Sequence, residues 1–420
     1  MKIVNLSALH APKSVNRKTF DEVIIPTYAP SQMVPVRGLG LEVWDQNGKR
    51  YLDFTSGIGV TALGHGHPEV ISALNKQANR LWHIGNGYTN EPTLRLASSI
   101  VNATFADRVF FCNSGAEANE AAFKLARRHA LLTRGAEKSR IISCVKSFHG
   151  RTLFAVSVGG QRQYRIGFGP LPKNIEHIPF NDIEAAYNAI KGDVCAVVVE
   201  TIQGESGVLP ATKDFLRALR TCCDRHNALL IFDEVQTGMG RVGSLFSYMG
   251  LGVTPDILTM AKALGNGFPI AAMITNDAIA KAFQPGTHGS TFGGNPLATA
   301  VAQSVFDTIN RTEFLERVKI SASLLHQTLH IIVNDYPHIF SEFRGQGLMI
   351  GMVLSADYVG RAQEIVRCAE KHGLMLLIAG PDVIRFLPAL VVTEEQITEA
   401  GSLLRKALDT LQRNMKQTLI

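Results

Sequence analysis

No apolar run in the chain approaches the ~18 residues that a membrane-spanning helix needs, and there is neither a low-complexity tract nor a long run of like charge. The 42 Lys plus Arg stand against 36 Asp plus Glu, a formal charge of +6 spread over 420 residues. So mild an excess suits small anionic substrates and not nucleic acid, which calls for a concentrated basic patch. The first sixty residues or so contain no helix-turn-helix pattern, which argues against a DNA-binding regulator. Metal-ligand spacing is also missing. Cys112, Cys144, Cys195, Cys222, Cys223 and Cys368 form no CxxC pair, and His65 and His67 have no third ligand nearby, so no metal is expected. The cysteines read as buried reduced thiols. The first twenty residues place Pro12 and charges where a secretory core would be; they carry Lys2, Lys13, Arg17 and Lys18 with no acid before Asp21, and a cytoplasmic start is expected.

What is present is a globular composition, 46% hydrophobic, on a chain long enough for a large core and more than one domain. Through the middle, short apolar runs alternate with helical patterns: "RVFFC", "RIISCV", "VCAVVVE", "ALLIFDEV", "DILTMA" and "IAAMIT". Such runs, separated by helices, predict an α/β domain whose mostly parallel sheet is covered on both faces. The ends differ. "GLGLEVWDQNGKRYLDFTSG" reads as a hairpin turning at Asn47-Gly48, and after a helical region over about 296–334 the tail supplies strands in "FRGQGLMIGMVL", "LMLLIAG" and "VIRFLPAL". Residues 1–60 and 301–420 are therefore assigned to one small α+β domain, and 61–300 to the large one.

In open α/β sheets, ligands gather beyond the carboxyl ends of the strands, so residues just after strands carry the most information. In "FFCNSGAEANEAAFKLA" a strand runs into a helix through Ser114, Gly115 and Ala116, whose free amides would suit a phosphate. In "ALLIFDEVQTGMGR", Asp233 ends an apolar run, and a carboxylate there needs a cationic or hydrogen-bonded partner. A protonated ring nitrogen would serve, as would an arginine. In "LTMAKALGNGFPIAAMIT", Lys262 is the sole charge. A surface lysine would be unremarkable, but desolvation lowers an amine's pKa and makes it a nucleophile toward a carbonyl. Phosphate cradle, ring-nitrogen carboxylate and nucleophilic lysine together describe a site for pyridoxal 5'-phosphate.

These stretches, with "TFDEVIIPTYAP", "LGHGHPEV", "GNGYTNEP", "SFHGRTLFAVSVGGQ", "HGSTFGGNPLA" and "IAGPDVIRFLPAL", resemble the class III aminotransferases of fold type I, and within them the acetylornithine and succinylornithine enzymes. The resemblance implies a fold type I transferase using pyridoxal phosphate, with Lys262 as the amine bound to the cofactor and then the proton shuttle. It implies that Asp233 keeps the ring nitrogen protonated, that Phe148 and Val235 cover the two ring faces, and that Gln236 meets the phenolic oxygen. Ser114, Gly115 and Ala116 would hold the phosphate, which Thr291 of a neighbouring subunit would also reach, so a homodimer is implied. Tyr28, Arg151, Glu205, Ser290 and Arg385 would face substrate. Arg151 would grip a far carboxylate, and Arg385 the α-carboxylate of 2-oxoglutarate, with Glu205 as the movable cover of Arg385.

The implied reaction moves the terminal amino group of N2-acetylornithine, or of N-succinylornithine or N-succinyl-diaminopimelate, to 2-oxoglutarate, giving glutamate, as in arginine biosynthesis. Ornithine or 4-aminobutyrate aminotransferase is the alternative, although ornithine enzymes carry a tyrosine where Ile58 stands. Three positions depart from the family pattern: Thr201 for proline, Ser206 for glycine and Asn266 for glycine, the last at a place where asparagine tolerates left-handed backbone.

Overall fold

The computed structural model describes residues 15–418, so Lys2 and Lys13 of the acid-free start lie outside the described residues. Seven strands form the central sheet: β1 (Arg108–Cys112), β2 (Arg140–Cys144), β3 (Ile175–Ile178), β4 (Val194–Glu200), β5 (Leu229–Asp233), β6 (Ile257–Met260) and β7 (Ala271–Thr275), in the spatial order β1-β7-β6-β5-β4-β2-β3. All are parallel except β7, which runs antiparallel to both β6 and β1. Every residue of β4, β5, β6 and β7 is buried, as continuous apolar runs sandwiched between helices require. Strand β3 is not among the apolar runs of the sequence; "IEHI" has two polar residues between two isoleucines and is only four residues long. The helical stretch after residue 295 is two helices, Pro296–Ile309 and Thr312–Asp335, broken at Asn310 and Arg311.

Helix α1 (Gly115–Arg134) follows β1 directly. Ser114 caps it by accepting the Glu117 N–H, and Gly135, at φ +101°, ends it in a conformation open to glycine. Toward the ends of the chain, the hairpin forms as read, Glu42–Asp45 against Arg50–Asp53, with Gly48 at φ +78° in its turn. Leu374–Met375 pairs parallel with Arg50–Asp53, so the two ends of the chain share one sheet. A separate four-stranded sheet carries Phe340–Gln346, Met349–Leu354, Leu377–Ile378 and Val383–Phe386. His65, set aside as a metal ligand, contacts buried Asp53 at 2.8 Å.

Candidate active site

Because β1, β4, β5 and β6 run the same way, their carboxyl ends open on one edge; β7, reversed, begins there, with Ala271 beside Cys112. A cavity of about 480 Å³ lies at that edge, its wall including Gly115, Phe148, Arg151, Asp233, Val235 and Lys262. Ser114, Ala116 and Gln236 line it too. Positions separated by well over a hundred residues in sequence thus meet because each follows, or ends, a strand of one sheet.

Asp233 is the last residue of β5 and is buried. Its Oδ2 accepts from Asn119 Nδ2 and from His149 Nδ1, both at 2.8 Å, and its Oδ1 from the Val235 amide at 3.1 Å. Asn119 is itself fixed, since its Oδ1 accepts from Thr259 Oγ1 at 2.8 Å. Behind the ring, His149 Nε2 is hydrogen-bonded to Ser143 Oγ at 3.2 Å. Burial pulls the His149 pKa down, but the Asp233 hydrogen bond and charge outweigh it and leave it raised. The carboxylate is therefore fixed from behind by side chains, and no arginine or lysine pairs with it among the described residues.

Lys262 comes just after β6 and opens a short 3-10 turn, Lys262–Gly265. Its φ is +44°, a left-handed conformation that costs a non-glycine residue energy and clusters at functional sites. Its side chain forms no hydrogen bond or ion pair among the described residues. Burial lowers its pKa to about 8, with Glu205 opposing the shift and Arg385 adding to it. At pH 7 about a tenth of such an amine is unprotonated, against about one part in a few thousand for an ordinary lysine.

At the other side of the cavity α1 presents its start. The first-turn amides of a helix have no partner within it, and the macrodipole adds to their pull on an anion. Gly115 has no room for a side chain, since a Cβ there would lie 2.8 Å from Val235 Cγ1.

Arg385 is almost completely buried. Its Nη1 donates to Glu205 Oε1 at 2.7 Å, to the Gly204 carbonyl at 2.9 Å and to Gln236 Oε1 at 3.2 Å, while its Nε has no partner. Burial pushes the Glu205 carboxyl up, but Arg385 overrides it and holds the group below its usual value. Glu200, the last residue of β4, is a second buried carboxylate on the cavity wall. Burial beside Asp233 and Glu205 raises it to about 7 despite His149, and it accepts the Phe148 amide at 2.9 Å.

Ser290 sits next to the site, accepting from Asn113 Nδ2 at 3.2 Å. Thr291 and Tyr28 are exposed and do not line the cavity of this single chain. The three departures are accommodated. Thr201 Oγ1 donates to Thr237 Oγ1 at 3.1 Å, and Ser206 Oγ donates to the Lys146 carbonyl. Asn266 takes the left-handed conformation at φ 47°, accepts the Leu63 amide at 2.7 Å and donates to the Gly64 carbonyl at 3.2 Å.

Asn119, His149 and Glu200 escaped the sequence reading. Glu200 ends "VCAVVVE" just as Asp233 ends "LLIFD", so the two carboxylates share one sequence signature. Asn119 is a polar residue on the buried face of α1, between Ala118 and Ala122. His149 adjoins Phe148, but nothing local reveals its partner 84 positions away.

The assembled groups can seat an anion, hold a protonated ring nitrogen and offer an amine to a carbonyl. Residues 25–408 match the sequence model of a family described as aminotransferase class-III. The chain is 56% identical over 395 residues to an acetylornithine/succinyldiaminopimelate aminotransferase of Yersinia pestis, covering 94% of this chain and 97% of the relative. It is 55% identical over 397 residues to a succinylornithine transaminase of Yersinia pestis bv. Antiqua (strain Angola), covering 93% and 96%. Among solved structures it is similar to an ornithine aminotransferase from Toxoplasma gondii with pyridoxal phosphate at partial occupancy in its active site. The TM-score is 0.90 and the identity 32%, with 95% of each chain covered.

Proposed function

Since the chain belongs to the class III aminotransferases, enzymes that work with pyridoxal phosphate, we propose that it transfers the terminal amino group of N2-acetylornithine to 2-oxoglutarate. N-succinylornithine and N-succinyl-diaminopimelate are further donors of the same shape, as the names of its relatives suggest. The place of such a reaction is arginine biosynthesis, in the cytoplasm. Among the described residues no helix is long and apolar enough to cross a membrane.

The residues present fit the cofactor: Lys262 has no protein partner, Asp233 is ionisable and pre-oriented, and α1 offers amides. Pyridoxal phosphate, when bound, supplies an electron-accepting ring that makes a substrate C–H proton removable. Lys262 Nζ would bind the cofactor's carbonyl carbon and, once free, take that proton and return it. Asp233 Oδ2 would keep a proton on the ring nitrogen, with Asn119 and His149 holding the carboxylate still. Ser114, Gly115 and Ala116 would bind the phosphate, Phe148 and Val235 enclose the ring, and Gln236 meet its phenolic oxygen. On the substrate side, Arg385 would bind the α-carboxylate of 2-oxoglutarate, Arg151 the far carboxylate of the donor, and Tyr28 and Ser290 would line its path.

The Glu205–Arg385 ion pair carries this reading. A donor that reacts through a terminal amine brings no carboxylate to Arg385, and Glu205 then neutralises it; 2-oxoglutarate brings one, and Glu205 must leave. Mixing holoenzyme with single amines and following the cofactor absorbance tests it. N2-acetylornithine or N-succinylornithine should react fastest; ornithine or 4-aminobutyrate reacting faster would reject the assignment.

We also read the protein as a homodimer, with Thr291 reaching the partner's phosphate site. Trp82, Tyr88 and Phe292 are 63%, 74% and 59% exposed, an apolar surface that a second copy would cover. The segments are joined, as Asn86 Nδ2 donates to the Ser290 carbonyl at 2.6 Å. The division into a large domain, 61–300, and a small one from 1–60 and 301–420 is supported by the sheet that both ends share.

A further inference from the structure

Of the two arginines given to substrate carboxylates above, Arg151 lines the cavity and Arg385 lies behind Gln236, which does, and they are held by opposite means. Arg385 is fixed through its N–H donors, by Glu205 and the Gly204 carbonyl. Arg151 is fixed through its face. Its guanidinium carbon lies 3.7 Å from the ring centroid of Tyr164 and 5.7 Å from that of Phe148, and its side chain makes no hydrogen bond or ion pair among the described residues. The two rings meet edge to face, centroids 6.1 Å apart and planes at 89°. Tyr164 ends the short 3-10 turn Arg162–Tyr164 and does not line the cavity, so it can act on a ligand only through its neighbours.

Stacking on an aromatic face restrains a guanidinium while leaving its in-plane donors uncommitted, the fork that a carboxylate accepts. A protein carboxylate would have restrained Arg151 too, but by consuming the charge and the donors that a ligand needs. The Tyr164 hydroxyl makes no hydrogen bond among the described residues, so the ring is the part that acts.

We propose that Tyr164 is a specificity-determining positioning residue, holding Arg151 open at the cavity mouth for the carboxylate remote from the reacting amine. The inference rests on the donor orientation given above, in which Arg151 meets that carboxylate. It deepens that reading by placing donor selectivity in a residue that touches no substrate.

The test uses holoenzyme and two donors: N2-acetylornithine, and N-acetylputrescine, which has hydrogen in place of the carboxylate. In a ping-pong reaction kcat/KM for the donor reports the donor half-reaction alone, so the preference is the ratio of the two values. Tyr164→Phe and Tyr164→Trp, which keep an aromatic face, should retain the wild-type preference. Tyr164→Leu and Tyr164→Met should lower it about tenfold, through KM for N2-acetylornithine, while kcat/KM for N-acetylputrescine changes less than about threefold. Arg151→Ala sets the floor. An unchanged preference in Leu or Met variants with wild-type melting temperature overturns the proposal, and so does an equal loss with both donors, which marks a general structural role. If only the aromatic variants fold, a preference in Tyr164→Trp as low as that of Arg151→Ala overturns it. Wild-type enzyme that does not distinguish the donors removes the donor orientation itself, whereas the other outcomes leave it standing.

Discussion

Glu205 Oε1 sits 2.7 Å from Arg385 Nη1, across 180 positions of sequence, with Arg385 2% and Glu205 24% exposed. The arginine is locked in the core and the acid is at its accessible side, so only the acid is free to leave. Glu205→Ala leaves Arg385 permanently bare. The half-reaction with N2-acetylornithine should slow and that with glutamate be spared, moving their ratio about tenfold, or about 1.4 kcal/mol of differential transition-state binding. Single-turnover kinetics with each donor measures it. Equal slowing of both would show general support of the site, not a switch.

Lys262→Ala should abolish multiple turnover and remove the visible band of the bound cofactor while leaving the far-ultraviolet spectrum intact. In the wild-type chain stripped of cofactor, recapture should accelerate as pH rises through the lysine's value of about 8 and level off above it. The sign for stability is the same. Well below 8 the amine is protonated in both folded and unfolded chains, and between that value and 10.5 the unfolded chain binds more protons, so stability without cofactor rises with pH across that window. Recapture that ignored pH between about 7 and 9 would refute the lowered amine.

Asp233→Asn keeps the shape and removes the charge at the head of the Asn119–Asp233–His149 array. Proton removal from the donor carbon should fall about 100-fold, with a weaker hold on cofactor and little change in donor affinity. The deuterium-sensitive half-reaction rate is the readout, and a wild-type rate would exclude the ring-nitrogen role.

Trp82→Glu, at the exposed aromatic surface, should give monomers by light scattering, and those monomers should be inactive because Thr291 no longer reaches a partner. Fully active monomers at assay concentration would rule out a shared site.

Asn266 combines a left-handed backbone with two hydrogen bonds into Leu63 and Gly64. Asn266→Ala loses both bonds and strains the turn beside Lys262, a loss of about 2 kcal/mol. Asn266→Gly relieves the strain and should lose about 1 kcal/mol. Denaturant midpoints order the three chains, and an alanine variant as stable as wild type would mean the bonds contribute nothing.

The strands that end at Asp233 and Met260 could be read from the sequence because a fully buried parallel strand is a run of apolar residues whose end needs no tertiary knowledge. Asp233 and Lys262 stand out for that reason, as polar groups against an apolar background. The partners of Asp233 could not be read the same way. Asn119 lies 114 positions away and meets it only because α1 packs across β7, β6, β5 and β4. Strand β3 was hidden because it is a short edge strand with only one fully buried residue, Ile178, and so carries no apolar run. Tyr28 and Thr291 are outside this chain's own cavity, and their places in a site follow from the family resemblance alone.

Leu374–Met375 lies alongside Arg50–Asp53, and the Leu52 amide donates to the Gly373 carbonyl at 2.8 Å. A ribosome delivers these segments more than three hundred residues apart, about 15 to 60 seconds at ordinary rates of synthesis. For that interval Leu52 and Phe54, both fully buried in the finished protein, belong to an unfinished sheet with an open edge. The central sheet can close while its flank waits, so the nascent chain passes through a state in which a chaperone has something to hold.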